Sequence, residues 1–213
     1  MKIIYYIYVM IILSTFGSCK EVTEPDSGPQ SNPAANVVIN ELFRIDSAKY
    51  YSHWWIELYN PTSRDIDISN WRIKFINSGF TINLSAQNSI TSLSSGSFIL
   101  ITSSKNIFDD YWNVAPLTTL LEFGQSFPPL KAAEEIQLVD NGNNIISLLR
   151  YGNYTISAGN PFPNNISFGF AGEWNSICRY ADPKGAYDTG NSSNDFFEER
   201  NPIAGYYSQR MKK

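Results

Sequence analysis

The chain has 213 residues, of which 43% are hydrophobic and 17% are charged, so it carries enough apolar material for one domain with a buried core. Its net charge is −4 and its pI is about 5.0, whereas a nucleic-acid-binding surface is normally basic. The composition therefore predicts a single globular domain and argues against a nucleic-acid partner.

Residues 1–18 have the features of a secretory signal peptide. Lys2 provides a positive start, and the apolar run IIYYIYVMIILSTFG follows. This run is shorter than the roughly 20 residues that span a bilayer. It ends in FGSC, which resembles the bacterial lipoprotein box, with Phe16 where leucine is usual. The resemblance implies cleavage before Cys19 and lipidation of the Cys19 thiol and amine. An uncleaved N-terminal membrane anchor is the alternative.

Residues 19–36 form a polar segment. It begins with Cys19 and continues as KEVTEPDSGPQSNPAAN. Proline, serine, asparagine and acids dominate it, which predicts a flexible tether between a bilayer and the folded part. Its acidic start is also similar to surface-export signals of bacterial outer-membrane lipoproteins. We therefore expect a lipid-anchored protein of the cell envelope, at the outer membrane. If Cys19 is lipidated, Cys178 is a lone buried thiol.

From Val37 onward, short runs rich in β-branched and aromatic residues alternate with turn residues, a pattern typical of a β-sandwich or β-barrel. The runs are VVINELF, WWIELYN, IDISNWRIKFIN, FTINL, SFILITS, EIQLVD and IISLLRYG. The clearest hairpin is LVDNGNNIISL, in which Asn-Gly and Gly-Asn are expected to supply the positive φ angles of a tight turn. We assign residues 37–207 to this domain and 208–213 to a basic C-terminal tail.

The second run places a carboxylate, Glu57, inside an apolar segment. In an extended strand Trp54, Ile56 and Leu58 share one face, which is fully apolar and should be core. Trp55 and Glu57 then point to the other face, which we expect to be less buried. A carboxylate there would pair across strands or meet solvent.

The runs also resemble, in order, the strands of the lamin tail domain, an immunoglobulin-like β-sandwich. The resemblance rests on VVINELF, on Glu57 to Asn60 (ELYN), on Asn70 to Ile73 (NWRI), on LSSGSFILITSS and on EEIQLVDNGNNIISLLRYG. The later region SICRYADPKGAYDTGNSSNDFFEERNPIAG keeps only part of the pattern of bacterial members. It retains Ser176, Arg179 and Asp195-Phe196, but it has Ile177-Cys178 in place of Leu-Glu. The resemblance implies that Glu57, Asn60 and Trp71 are structural.

Candidate sites with other roles are few. Trp55, on the outer face, is the candidate aromatic platform for a ligand such as a sugar. Asp182, Asp188 and Asp195 are oxygen-rich loop residues that could hold Ca²⁺, although their spacing does not fit an EF-hand and such residues are ordinary in loops. The single histidine, His53, provides neither a zinc site nor the base of a catalytic triad. We therefore expect no catalytic residue, metal or cofactor.

Three functions compete for such a sequence. The first is a non-catalytic binding or structural module, displayed at the envelope by Cys19 with an unidentified protein or glycan ligand. The second is a carbohydrate-binding lipoprotein of a glycan-uptake system, which 15% aromatic content permits. The third is a hydrolase. The tether and one sandwich use all 213 residues, so no residues are left for a separate catalytic domain. The sequence favours the first.

Overall fold

The computed structural model describes residues 32–44, 54–85, 90–103, 108, 115–122, 130–131, 133–152, 176–199, 202, 204–206 and 210–212. The signal-like run, Cys19, most of the tether and His53 lie outside these ranges.

The described residues form mainly short strands, with a short helix before the last of them. The strands of its first half are β1 (Val38–Arg44), β2 (Trp54–Tyr59), β3 (Ile66–Asp67), β4 (Arg72–Phe75), β5 (Phe80–Asn83), β6 (Ser92–Leu93) and β7 (Phe98–Thr102). Those of its second half are β8 (Thr118–Glu122), β9 (Glu134–Val139), β10 (Ile145–Tyr151), β11 (Ser176–Arg179), β12 (Ala181–Asp182), β13 (Gly185–Ala186) and β14 (Phe196–Glu199), with the helix α1 (Ser192–Asp195) before β14.

These strands form two main sheets. The larger has the order β14-β11-β1-β2-β7-β8, and the smaller has the order β10-β9-β4-β5. All neighbours are antiparallel except β7 and β8, which are parallel. The pairs β12-β13 and β3-β6 are small additional ribbons. The prediction of an all-β, immunoglobulin-like sandwich is confirmed.

The main core lies between the two sheets. Ile56 and Leu58 of β2 and Ile73 of β4 have no exposed surface and belong to one apolar cluster. Burying each such side chain contributes about 1.5–3 kcal/mol. Trp54 packs on Phe75 of the opposite sheet with ring centroids 5.2 Å apart. The inward face predicted from the alternation in β2 is therefore the core face.

The opposite, outer face of the larger sheet is covered as well. Phe43, Trp55, Leu100, Phe108 and Ala204 form a second buried cluster there. Every residue of β2 is consequently buried. The expectation that this face is less buried is wrong, because residues far away in the sequence lie across it.

The predicted β9–β10 hairpin is present, with a different turn geometry. Val139 pairs with Ile145, and the Asp140 backbone N–H donates to the Asn144 carbonyl at 3.0 Å. The positive φ of 69° belongs to Asn143, not to Gly142. This corresponds to a three-residue loop that ends in a left-handed residue, in which asparagine is tolerated.

Both ends of the described chain are fastened to the domain. Pro33 forms an isolated bridge with Tyr187, and the Ala34 N–H donates to the Ala186 carbonyl at 2.8 Å. Part of the segment assigned to the tether is therefore held by the sandwich. Met211, from the predicted basic tail, forms a parallel bridge with Ala181.

Candidate functional site

Glu57 lies at the centre of the outer face, with no exposed surface. Its Oε1 atom accepts a hydrogen bond from the Asn40 Nδ2 group at 2.7 Å, and its Oε2 atom accepts one from the Gly205 backbone N–H. The register between β1 and β2 shifts between Ile39 and Glu41, so Asn40 occupies a β-bulge. A bulge redirects a side chain, and here it brings the amide to the carboxylate.

A second carboxylate, Glu41, is the cross-strand partner of Glu57 and is also fully buried. Its Oε1 atom accepts a hydrogen bond from the Ser176 hydroxyl. Burial and the charge of Glu41 raise the pKa of Glu57 well above its usual value, although the bonds from Gly205 and Asn40 act in the opposite direction. Two adjacent buried carboxyl groups favour retention of a proton.

These observations correct the sequence prediction for Glu57. We expected it to pair across strands or to meet solvent on a less buried face, but it is fully buried and accepts a hydrogen bond from Gly205. A buried carboxylate with an internal amide and an internal backbone donor is part of the scaffold. Since Glu41 and Glu57 have no exposed surface, a substrate cannot reach them in this structure, and the pair offers no accessible acid–base chemistry.

Trp55 is likewise not the exposed platform that the sequence suggested. It has no exposed surface, stacks on Phe43 with ring centroids 5.4 Å apart, and meets Phe108 edge-on at 6.4 Å. A sugar therefore has no access to this ring. Trp71 is 6% exposed and belongs to the main core.

Asn60 organises the turn after β2. Its Nδ2 group donates to the Arg64 and Leu93 carbonyls at 2.8 and 2.9 Å. Its Oδ1 atom accepts hydrogen bonds from the Thr62 backbone N–H and hydroxyl. An asparagine that satisfies several backbone groups of a turn has a structural role.

Arg179 links the two sheets. Its guanidinium is fully buried, donates from Nε to the Ile39 carbonyl at 2.8 Å and from Nη2 to the Ser147 hydroxyl at 3.3 Å. Ser147 belongs to β10 of the smaller sheet, while Arg179 and Ile39 belong to the larger. The guanidinium carbon also lies 4.2 Å from the centre of the Phe196 ring. The sequence showed this arginine only as a residue kept in the family pattern.

Two of the proposed calcium ligands lie against this arginine. Asp188 and Asp195 approach its Nη1 atom at 3.2 and 3.6 Å. Burial raises the pKa of Asp195 even though Arg179 and hydrogen bonds from Thr189 lower it. The third candidate, Asp182, accepts hydrogen bonds from the backbone N–H groups of Asn32 and Lys184 at 2.6 and 2.8 Å.

These contacts engage the three aspartates with a guanidinium, a hydroxyl and backbone donors, although the Asp188 side chain remains 27% exposed. Within the described ranges, no three His, Cys, Asp or Glu side chains form a cluster able to hold a metal ion. Asp188 and Asp195 thus position Arg179, and Asp182 holds the backbone at Asn32 and Lys184.

Cys178, the neighbour of Arg179, is a buried free thiol. Burial raises the pKa of Cys178 well above its usual value, and the nearby charges of Glu41, Glu57 and Glu199 raise it further. A thiol kept protonated in this way is a poor nucleophile.

One group of aromatic and basic side chains at the edge of the larger sheet was not expected from the sequence. Tyr180 and Phe197 have ring centroids 4.7 Å apart. Arg210 places its guanidinium carbon 4.6 Å from the Phe197 centroid and 5.8 Å from that of Tyr180. Lys212 places its ammonium 5.0 Å from the Tyr180 centroid. The spacing of the two cations by two residues was the only sequence signal for this arrangement.

No helix among the described residues has the length and apolar character needed to cross a membrane. Residues 30–153, more than half of the chain, match the family model described as Lamin Tail Domain. Comparison with curated proteins gives no match. The matched region ends before β11 and β14, although these two strands extend the larger sheet beside β1.

Proposed function

Because the chain belongs to the lamin tail domain family, we propose that it is a non-catalytic binding or scaffolding module, held at a bacterial cell envelope by a lipid anchor on Cys19. The family fold is an immunoglobulin-like sandwich, an architecture that presents surfaces and loops. A fold does not define a function, so the proposal depends on how this chain uses its reactive groups.

The observation that carries the non-catalytic part is the placement of the buried ionisable groups. Glu57 contacts Asn40 and Gly205, and Arg179 contacts Asp188 and both sheets. The Arg150 Nε atom similarly lies 2.8 Å from Glu135, and both side chains are almost fully buried. These groups stabilise the sandwich and are not presented to a substrate.

Support for the anchor comes from the sequence before the domain. Cys19 ends an apolar run with small residues before it, and a polar segment separates it from Val37. Each buried acyl CH₂ contributes about 0.8 kcal/mol, so several acyl chains give stable membrane attachment. We propose that the outer membrane is the location, with the sandwich displayed at the end of the tether.

The carbohydrate-binding alternative was permitted by the 15% aromatic content, and Trp55 was the candidate platform for a sugar. Trp55 is buried beneath Phe108 and Ala204, so it offers no exposed ring to a sugar. We therefore favour a protein partner over a glycan.

The chain provides a matched pair of variants for testing the anchor. Cys19→Ala should abolish incorporation of labelled palmitate and move the protein from the membrane to the soluble fraction of a bacterial host. Cys178→Ala should leave both unchanged, because Cys178 is buried inside the sandwich. Equal palmitate labelling of the two variants would overturn the lipoprotein proposal.

A further inference from the structure

Tyr180 and Phe197, hereafter the aromatic pair, lie at the β14 edge of the larger sheet. Phe197 pairs with Cys178 across β11 and β14, and Tyr180 follows β11 two residues after Cys178. Alternation along the strands places both rings on the outer face. Phe197 is largely buried and Tyr180 is half-buried, so the pair forms a rigid, supported surface.

Residues 210–212 lie on this surface in an extended arrangement. The Ala181 N–H donates to the Arg210 carbonyl at 2.9 Å, and Met211 bridges Ala181. Arg210 and Lys212, two positions apart, place their charges over the rings at 4.6 and 5.0 Å. Side chains at alternate positions of an extended segment point the same way. Backbone pairing sets the register, and the side chains provide recognition, as in strand-addition binding of peptides.

The chemistry of the pair selects cations. A guanidinium or ammonium within about 6 Å of an aromatic centroid is attracted by the ring quadrupole. Glu199 lies two residues after Phe197 on the same face of β14, which places a carboxylate on that face next to Phe197. An anion or a neutral sugar would gain neither contribution.

We propose that the aromatic pair, together with the backbone of Ala181, is a recognition site for an extended peptide segment that carries two basic residues two positions apart. Residues 210–212 occupy this site as an internal competitor. The inference rests on the proposed binding function and specifies its partner as a basic, extended protein segment. Because an internal segment competes at a high effective concentration, an external peptide binds weakly until that segment is altered.

The test uses the full chain and a labelled peptide of residues 205–213, GYYSQRMKK. In the double variant Arg210→Gln/Lys212→Gln, the internal segment loses both charges but keeps its length. Fluorescence anisotropy should show that this variant binds the peptide at least tenfold more tightly than the unaltered chain. A control peptide with glutamine at the same two positions should bind the variant at least tenfold more weakly than the basic peptide.

Tyr180→Leu, added to the double variant, keeps an apolar side chain but removes the aromatic face, and it should reduce peptide affinity severalfold. Circular dichroism of each variant checks that the fold is retained.

Equal peptide affinity of the unaltered chain and the double variant would overturn the claim that residues 210–212 compete for the site. If the double variant binds neither peptide, or binds the basic and glutamine peptides equally, the claim that the aromatic pair recognises cations would be overturned. Palmitate labelling of the same variants reports on the anchor separately, so failure of one proposal is distinguishable from failure of the other.

Discussion

Gly205 donates its backbone N–H to the carboxylate of Glu57, which lies 148 positions earlier in the chain. This bond joins the segment 204–206 to the centre of the larger sheet. The same segment contributes Ala204 to the cluster around Trp55, and the Asn40 Nδ2 group reaches the Tyr206 carbonyl at 3.3 Å. The outer face of β2 is therefore a second interior, closed by residues beyond the last sheet strand.

The first prediction concerns the pH dependence of stability. Burial and Glu41 raise the pKa of Glu57 well above the usual 4.5, so the folded chain holds this proton more tightly than the unfolded chain does. The resulting stabilisation is present in acid and is lost as pH rises from about 4.5 through the raised pKa. We expect urea melts to show a free energy of unfolding that falls across this range, with a smaller slope in Glu57→Gln.

Glu122→Gln is the matched control for that slope, because Glu122 is exposed on β8. It should retain the slope of the unaltered chain. In acid, where Glu57 retains its proton, Glu57→Gln should itself cost at most about 1 kcal/mol, because the amide, like the protonated carboxyl, offers one acceptor oxygen and one donor group. A slope unchanged by Glu57→Gln would contradict the assignment of the raised pKa to this residue.

The second prediction concerns the backbone at Gly205, which has a φ of +82°. A Cβ atom there would lie 2.4 Å from the Thr118 hydroxyl oxygen and 2.5 Å from the Ala115 Cβ. Gly205→Ala should therefore destabilise the domain more than Gly190→Ala does. Gly190 has a similar φ of +71°, but a Cβ atom added to it meets nothing within 4 Å. The difference between their unfolding free energies isolates the clash from the φ strain.

We expect that difference to be about 1–3 kcal/mol, the usual cost of overpacking. It should be accompanied by faster labelling of Cys178, because loosening residues 204–206 exposes the outer face. Equal melting temperatures for the two alanine variants would argue against close packing of Gly205 on Ala115 and Thr118.

Local patterns in the sequence predicted the sandwich and its core face. Alternation in β2 identified Ile56 and Leu58 as core residues. The two faces of a strand can be read from its own sequence, because successive side chains point to opposite sides. The same alternation could not show what covers the second face. That depends on Ala204 and Gly205, whose contacts with β2 are long-range and follow no period in the sequence. Trp55 and Glu57 were misplaced for this reason.

The sites differ in the same way. Asn60 lies in an Asn-Pro turn, and a turn asparagine is recognisable from its neighbours. Arg179 lies in the sequence SICRYA, which identified it only as a residue kept in the family pattern. Its partners Ile39 and Ser147 could not be predicted from the sequence. They depend on which strand lies beside β11 and which strand of the other sheet lies opposite it, and neither is visible in the sequence.

The third prediction concerns Arg179. Arg179→Ala leaves Asp195 buried and removes the link between Ile39 and Ser147, and loss of one member of a buried ion pair typically costs about 3–5 kcal/mol. We expect a loss of that order in the free energy of unfolding. Arg64→Ala, at an exposed position of the turn after β2, should change it by less than about 0.5 kcal/mol. Similar small effects from both would show that Arg179 does not hold the sheets together.

The fourth prediction concerns the thiol of Cys178. Its burial and raised pKa should keep it unreactive toward a thiol reagent in the folded protein and make it reactive on unfolding. Labelling kinetics of the Cys19→Ser chain, with and without urea, measure this. Rapid labelling without denaturant would mean that the outer face opens readily.

The most direct measurement of the central claim, a lipid anchor on Cys19, is the intact mass of the mature protein extracted from bacterial membranes. We predict a chain that begins at Cys19 and carries added acyl groups, with fragment ions placing them on that residue. A chain that retains residues 1–18, or an unmodified Cys19, would contradict the account.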